Sequence, residues 1–203
     1  MQVVWNVPNR LTAFRLLLAP FLFAAVAMQY YLAGLILFSI AAFTDWLDGW
    51  WARTFNQITQ LGRILDPLAD KLVVCGCFIL LGGVEHSGIV PWMAVIVVGR
   101  ELIVTALRSF VEEQGIDFSA SLAGKAKMVV QCAAIIAAFL EPIWGKEVHF
   151  PYFLEIRAGL IWLAIGITLY SGAEYLVAAA RLLFFAEPKN ESGADESQPE
   201  SSR

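Results

Sequence analysis

Long apolar segments separated by short polar breaks run along most of the chain. A helix needs about 20 mostly apolar residues to cross the hydrocarbon core of a bilayer. Six segments reach approximately this length, and charged, polar or turn-forming residues separate them. They cover approximately residues 8–27, 32–53, 66–84, 88–112, 120–140 and 156–183. The pattern predicts an all-α integral membrane protein with six transmembrane helices.

The polarity of the chain changes after the sixth segment. Residues 186–203 are acidic and rich in serine, and they hold too few apolar side chains to form a core. We therefore expect a six-helix transmembrane domain over residues 1–185 and a disordered acidic tail over residues 186–203.

Composition and charge narrow the class of protein further. Of the 203 residues, 59% are hydrophobic and only 16% are charged, and the mean hydropathy is +0.66. A water-soluble globule of this size cannot bury so much apolar surface. The net charge of -4 and a pI of about 5.2 argue against a nucleic-acid partner, which calls for a basic face.

Lysine and arginine predict the orientation in the membrane. With both termini in the cytoplasm, only Lys146 and Arg157 fall on the opposite side, and the other 12 basic residues are cytoplasmic. We therefore expect both termini in the cytoplasm and a polar cavity that opens to the cytoplasm. The N-terminal composition is not that of a transit peptide, which favours a bacterial plasma (inner) membrane.

Four aspartates stand where the second and third segments approach the cytoplasmic side. Asp45 and Asp48 are three residues apart and Asp66 and Asp70 are four apart, so each pair shares a helix face. Four carboxylates close together repel one another, and carboxylate oxygens suit Mg²⁺ or Mn²⁺. Two such cations can clamp a pyrophosphate. Alternatively, Asp66 before Pro67 is typical of a helix N-cap, which explains one aspartate of the four.

Gly49 and Arg53 closely follow the first pair of aspartates. Gly49 costs a helix about 1 kcal/mol relative to alanine, but it leaves space for a bulky ligand beside Asp48. Arg53 lies eight residues beyond Asp45 and can reach the phosphates of such a ligand. For Gly49 alone, helix packing is the alternative explanation.

The stretch from Asp45 to Asp70 resembles the signature of the CDP-alcohol phosphotransferases, D-x-x-D-G-x-x-A-R-x8-G-x3-D-x3-D, with every fixed position filled. This family consists of six-helix membrane enzymes that transfer a phosphatidyl or similar group from a CDP-linked donor to an alcohol and release CMP. The resemblance implies two divalent cations held by Asp45, Asp48, Asp66 and Asp70.

The resemblance also implies roles at the reacting centre and at the donor. Asp70 is then the general base that takes the proton of the acceptor hydroxyl, in addition to binding metal. Gly49, Arg53 and Thr59 are then in contact with the CDP part of the donor.

Basic residues in the fourth and fifth segments bear on the choice of acceptor. Arg100 and Arg108 share a helix side, and Lys125 and Lys127 lie near the same cytoplasmic level. Four cations opposite a group of acids favour an anionic alcohol, such as a sugar or polyol phosphate. The alternative is positive-inside topology with snorkelling side chains. Glu101 is expected to pair with Arg100 or Arg108.

The rest of the chain to about residue 183 resembles one subfamily, the phosphatidylglycerophosphate synthases. The matching pieces outside the signature include N-V-P-N-R-L-T-A-F-R at 6–15, R-E-L-I-V-T-A-L-R at 100–108 and G-K-A-K at 124–127. The resemblance implies CDP-diacylglycerol as donor, sn-glycerol 3-phosphate as acceptor, and a homodimer. Inositol phosphate or phosphatidylglycerol as acceptor is the alternative within this chemistry. A cation transporter is the alternative from a different class.

Three polar residues recur every third position in the first segment. Asn9, Thr12 and Arg15 drift slowly around one side of the helix. They either line the nucleotide end of the cavity or anchor the helix at the membrane interface, and the sequence alone does not decide between these roles.

Overall fold

The computed structural model describes residues 7–54, 60–113, 122–144 and 152–185, and the regular secondary structure in these ranges is entirely α-helical. The helices are α1 (Val7–Ala27), α2 (Tyr31–Thr54), α3 (Gln60–Leu81), α4 (Pro91–Glu113), α5 (Leu122–Trp144) and α6 (Phe153–Phe185). They confirm the six helical segments predicted from hydropathy, with ends that differ by a few residues.

Four of the helices are long and apolar enough to cross a membrane. Within the described residues, α1, α2, α5 and α6 each contain an apolar stretch of at least 18 residues. Charged residues interrupt the other two helices: Asp66, Asp70 and Lys71 in α3, and Arg100, Glu101 and Arg108 in α4. Length and composition therefore indicate a membrane protein, and the crossing by α3 and α4 stays a prediction.

The first helix determines how the acids of α2 and α3 are presented. α1 packs extensively against both of these helices, whereas α2 and α3 contact each other only sparsely. α5 contacts α2, α3 and α6, and α4 contacts α3 and α6. α2 and α3 do touch. However, polar side chains of α1 are the ones that reach the aspartates of both helices.

Aromatic and aliphatic side chains fill the centre of the bundle. Phe38, Phe78 and Phe139 are completely buried there. Gly34 allows a close approach between α2 and α5, because a Cβ atom at this position would lie 3.0 Å from the Phe139 ring. Large apolar side chains also cover the outside of the bundle, as lipid contact requires, among them Leu17, Phe21, Val95, Val129 and Tyr170.

The interpretation of Asp66 as a helix N-cap is wrong. α3 begins at Gln60 and continues through Pro67, so Asp66 lies inside the helix. Pro67 lacks an N–H group and removes one intrahelical hydrogen bond. Membrane helices tolerate this loss where neighbouring groups compensate.

An ion pair ties the loop between α3 and α4 to the last two helices. The Arg157 guanidinium pairs with the Glu141 carboxylate and donates a hydrogen bond to the backbone carbonyl of His86. Gly88 has φ of +78°, and a Cβ atom there would lie 3.0 Å from Nε of Arg157. Glycine is favoured at this position on both grounds. We call Arg157 and Glu141 the far-end ion pair, because they lie at the opposite end of the bundle from the aspartates.

Candidate active site

Two aspartates from α2 and two from α3 form the acid cluster: Asp45, Asp48, Asp66 and Asp70. The members of each pair are about one helical turn apart, and Asp48 is 5% exposed while the others are half-buried. The Asp66 charge repels those of Asp45 and Asp48. The Asp45 charge also repels that of Asp70. The fold therefore brings Asp45 of α2 close to both acids of α3, and Asp45 and Asp70 line the same cavity.

Arg15 from α1 is the cation of the acid cluster. Its side chain is 1% exposed, and its Nη1 atom lies 2.5 Å from Oδ1 of Asp45. Its Nη2 atom donates to Oδ2 of Asp48, so one guanidinium bridges both aspartates of α2. This planar group can donate two hydrogen bonds at once, which a lysine ammonium cannot do in the same geometry.

Thr12 connects α1 to the other half of the acid cluster. It lies about one helical turn before Arg15 and is completely buried, and its hydroxyl donates a hydrogen bond to Oδ1 of Asp66. Thr12 and Arg15 thus lie inside the bundle against the acids. The interpretation of this helix side as an interfacial anchor is wrong for these two residues.

A cavity opens beside the acid cluster. Its charged lining groups are Arg15, Asp45 and Asp70. The rest of the lining is mainly apolar and comes from α2, α3 and α5: Phe38, Ala41, Ala42, Val73, Val74, Met128 and Cys132. The cavity therefore has a charged wall on one side, and its other walls suit a ligand with apolar parts.

The acid cluster has the donor chemistry of a site for a hard divalent cation. Carboxylate oxygens are the ligands that Mg²⁺ and Mn²⁺ prefer, and repelling acids call for positive charge nearby. Among the described residues, no three carboxylate, thiolate or imidazole groups meet as a metal site. Arg15 supplies one positive charge to the cluster by bridging Asp45 and Asp48. The residue types fit a hard divalent cation, and Arg15 occupies one oxygen of each aspartate of α2.

A second group of charged residues lies beside the first, and we call it the basic cluster: Lys71, Arg100, Lys127 and the single acid Glu101. Oε1 of Glu101 lies 3.2 Å from Nη1 of Arg100 and also accepts a hydrogen bond from Nζ of Lys127. Nζ of Lys71 donates to the hydroxyl of Thr105. The expected pairing of Glu101 with Arg100 is confirmed, and Lys127 is a further partner from α5.

α6 completes the surroundings of Arg100. Nη2 of Arg100 donates a 2.9 Å hydrogen bond to the Ser171 hydroxyl, and the guanidinium carbon lies 5.6 Å from the centre of the Tyr175 ring. Gly172 leaves room for this side chain, because a Cβ atom there would lie 3.1 Å from Cγ of Arg100. Three side chains therefore hold Arg100 in one orientation: Glu101 of α4 and Ser171 and Tyr175 of α6.

Asp70 lies between the two clusters. Its charge interacts with those of Arg15 and Asp45 in the acid cluster and with those of Lys127 and Glu101 in the basic cluster. Asp70 also lines the cavity. Asp70 can therefore contact a ligand bound at the acid cluster and a ligand bound at the basic cluster at the same time.

For some predicted site residues, the structure gives no side-chain position. Gly49 and Arg53 in α2 and Lys125 in α5 are described only by their place in a helix, and Thr59 lies outside the described residues. Arg108 is described and half-buried, about 12 Å along the axis of α4 from Arg100. The roles assigned to these five residues stay predictions.

The structure adds site residues to which the sequence assigned no role. Lys71 is distinguished in the sequence only by its place next to Asp70, while Ser171 and Tyr175 carry no sequence signal that separates them from other polar residues in an apolar helix. For Arg15, the sequence alone leaves open a place in the cavity or at the membrane interface, and the structure places it in the acid cluster.

Comparisons with known proteins identify the family of the chain. The family model of the CDP-alcohol phosphatidyltransferases matches residues 5–170. A similar protein from Bacillus subtilis (strain 168), named CDP-diacylglycerol–glycerol-3-phosphate 3-phosphatidyltransferase, is 35% identical over 187 residues, covering 85% of this chain and 94% of its own.

Two enterobacterial proteins with the same name are similarly related. Those of Salmonella choleraesuis (strain SC-B67) and Shigella flexneri serotype 5b (strain 8401) are each 36% identical, covering 86% of this chain and 95% of their own. The family resemblance seen between Asp45 and Asp70 thus extends over most of the chain and is confirmed. The chain belongs to the CDP-alcohol phosphatidyltransferase family.

Proposed function

We propose that the protein joins CDP-diacylglycerol to sn-glycerol 3-phosphate and forms phosphatidylglycerophosphate and CMP in phospholipid biosynthesis. The position of Asp70, which lines the cavity with Arg15 and Asp45 and directly precedes Lys71 of the basic cluster, carries this proposal. One cluster suits a metal-bound pyrophosphate and the other suits the phosphate of a small alcohol. The names of the bacterial relatives support the same donor and the same acceptor.

The acid cluster holds the cations in this proposal. Asp45, Asp48, Asp66 and Asp70 would bind two divalent ions, Mg²⁺ or Mn²⁺. When bound, such ions supply positive charge to the pyrophosphate and stabilise the departing CMP. Gly49, Arg53 and Thr59 contact the CDP part of the donor, whose acyl chains remain in the bilayer.

The basic cluster positions the acceptor. Arg100 and Lys127, together with Arg108 and Lys125, bind the phosphate of glycerol 3-phosphate through charge-assisted hydrogen bonds. The free hydroxyl at the other end of the acceptor then faces Asp70. The Asp70 carboxylate takes the hydroxyl proton. The oxygen attacks the phosphorus of the phosphatidyl group, and the bond from that phosphorus to CMP breaks.

The same proposal includes the arrangement in the membrane. All six helices cross the bilayer, both termini are cytoplasmic, and the cavity opens to the cytoplasm at a bacterial plasma (inner) membrane. Partners for the charges of α3 and α4 support these crossings: Asp66 bonds to Thr12, and Arg100 to Glu101 and Ser171. Paired charges in the interior of a bundle are compatible with a membrane segment. We further propose that residues 1–185 form the catalytic domain, with a disordered tail after it, and that two copies form a homodimer.

Release of CMP by the purified protein tests the function. CDP-diacylglycerol is supplied with Mg²⁺ or Mn²⁺, and glycerol 3-phosphate, inositol phosphate and phosphatidylglycerol are added in separate reactions. We expect CMP release that depends on glycerol 3-phosphate and stops when EDTA removes the divalent cation. Equal release with another acceptor would refute the acceptor assignment. Absence of release with every acceptor would refute the proposed phosphatidyltransferase activity.

A parallel measurement addresses the transporter alternative. The protein is reconstituted into vesicles that contain a Mn²⁺-sensitive dye and lack CDP-lipid. We expect no protein-dependent influx of Mn²⁺, because apolar side chains such as Phe38, Phe78 and Phe139 fill the centre of the bundle beyond the clusters. Protein-dependent influx without CDP-lipid would favour a cation transporter.

A further inference from the structure

Arg15 is an unusual occupant of a site built for metal ions. Its guanidinium takes one carboxylate oxygen of Asp45 and one of Asp48. These two acids belong to the predicted metal ligands, and a carboxylate cannot turn the same oxygen to a guanidinium and to a cation at full strength. The second oxygen of each carboxylate is left over, but the guanidinium competes with a divalent ion for these two acids.

The pairing of Arg15 is also incomplete. Its Nε atom is buried and has no hydrogen-bond partner in the described part of the chain. A buried donor without an acceptor carries a desolvation penalty. The guanidinium is thus held by two strong contacts, while its remaining donor is unsatisfied. Asp45 and Asp48 are therefore the hydrogen-bond acceptors that hold the guanidinium in place.

Arg15 also borders the cavity beside the acid cluster. Arg15, Asp45 and Asp70 are its charged lining groups. A guanidinium released from the two aspartates of α2 remains beside this cavity, where a phosphate oxygen of an anionic ligand can accept its hydrogen bonds.

From these contacts we propose that Arg15 is the counter-ion of the metal-free acid cluster, and that a divalent cation displaces it from Asp45 and Asp48. The displaced guanidinium then turns to the phosphate groups of the donor. Metal binding and donor binding are then coupled through one side chain of α1. Arg15 is in this sense a positioning residue. The inference rests on the metal site of the proposed function.

Competition has a measurable consequence for cation affinity. Replacing Arg15 by glutamine removes a competing cation and its repulsion of the incoming ion. The R15Q variant therefore binds Mn²⁺ more tightly than the unaltered protein, by about tenfold, which corresponds to about 1.4 kcal/mol. The metal-free variant also melts at a lower temperature than the metal-free unaltered protein, because the acids of α2 then repel one another without a counter-ion.

The full-length protein in detergent, stripped of metal by EDTA, is titrated with Mn²⁺, and free Mn²⁺ is followed by electron paramagnetic resonance. Thermal melting is measured with and without Mn²⁺. R10Q is the matched control, because Arg10 carries the same charge on the same helix but is exposed. We expect R10Q to bind Mn²⁺ as the unaltered protein does, and R15Q to gain more thermal stability from Mn²⁺ than either.

Each result decides between the alternatives. Equal or weaker Mn²⁺ binding by R15Q would overturn the counter-ion role while leaving the metal site standing. Absence of Mn²⁺ binding by the unaltered protein would instead refute the metal site of the proposed function. If R15Q does not fold, R15K keeps the charge but cannot bridge two carboxylates with one planar group. Its affinity for Mn²⁺ is then expected to exceed that of the unaltered protein, and an equal affinity would overturn the proposal.

Discussion

The acid cluster and the basic cluster are built on opposite charges but share one design. In the first, a single cation from another helix, Arg15, bridges Asp45 and Asp48. In the second, a single acid, Glu101, bridges Arg100 and Lys127. Each cluster therefore contains one residue of the sign that its proposed ligand carries.

The comparison indicates how the protein keeps two charged sites inside an apolar bundle. Burial of unpaired charge is costly, and a partner of opposite sign lowers the cost. A partner that covers only part of the cluster leaves a net charge, which can still attract a ligand. Asp45, Asp48, Asp66 and Asp70 outnumber Arg15, and Lys71, Arg100 and Lys127 outnumber Glu101. Each cluster thus keeps a net charge opposite to that of its proposed ligand.

Asp70 is the member of the acid cluster that adjoins the basic cluster, because Lys71 is the next residue, and its removal is expected to have the largest effect. Asp70→Asn keeps the size of the side chain but cannot accept the hydroxyl proton. We expect turnover to fall by about 10³-fold, within the range of a lost general base, while binding of CDP-diacylglycerol is retained. CMP release and equilibrium binding of the labelled donor measure the two effects separately.

Glu85→Gln is the control for Asp70→Asn, because Glu85 is an exposed acid beyond the other end of α3. We expect its turnover to equal that of the unaltered protein. Normal turnover of Asp70→Asn would contradict the role of Asp70 as base, and it would also remove the reason for treating the two clusters as one site.

Lys127 tests the basic cluster by itself. Lys127→Gln removes one of the two cations that Glu101 bridges and leaves Arg100 in place. We expect the KM for glycerol 3-phosphate to rise by about 10- to 100-fold, the range of a lost charge-assisted hydrogen bond, with little change in the KM for the donor. Steady-state kinetics with each substrate varied in turn provides the measurement.

The far-end ion pair offers the control for Lys127→Gln. Arg157→Gln also removes a basic residue in contact with a glutamate, but at the other end of the bundle. It is expected to lower thermal stability without changing either KM. A rise in the KM for the donor as large as that for the acceptor in Lys127→Gln would contradict a separate acceptor site.

Glu101 is the counterpart of Arg15, and its replacement sharpens the comparison. Glu101→Gln keeps a hydrogen-bonding side chain but removes the negative charge that Lys127 and Arg100 share. We expect inorganic phosphate to inhibit the variant at a concentration several-fold lower than it inhibits the unaltered protein, since the basic cluster gains net positive charge. Inhibition curves for phosphate at fixed glycerol 3-phosphate measure this change.

Glu174→Gln serves as the control here, because Glu174 is an exposed acid on α6. Its phosphate inhibition is expected to match that of the unaltered protein. If Glu101→Gln binds phosphate more weakly, Glu101 orients the cations instead of competing with the anion, and the parallel between the two clusters is wrong.

The sequence predicts the helices of this fold well and their neighbours poorly. Apolar segments of about 20 residues suffice to predict six helices, because the length of a membrane helix follows from bilayer thickness. Apolar side chains are equally satisfied by lipid and by another helix, so their pattern does not specify which helices meet. The packing of α1 against both α2 and α3 could not be read from the sequence for this reason.

The site shows the same division. The spacing of Asp45 and Asp48 predicts a shared helix face without knowledge of the fold. The partner of both, Arg15, lies 30 residues or more away along the chain. Its charge within an apolar segment indicated a buried partner or a function, but not which acid it meets. Lys127 of α5 and Glu101 of α4 likewise meet only because both helices pack against α3 and α6.

The tail is expected to have the smallest effect of all. Both clusters and the cavity are formed by residues 12–175 of the helical part of the chain, and residues 186–203 have the composition of a segment that cannot form a core. A protein shortened to residues 1–185 should therefore release CMP at a rate within about twofold of the full chain and melt at a similar temperature, since surface changes away from packed groups alter stability little. A chain shortened to residues 1–180 also lacks the last five residues of α6 and serves as the comparison. If the protein of residues 1–185 loses activity while its melting temperature is unchanged, the tail contributes to the site, and the boundary proposed for the catalytic domain is wrong.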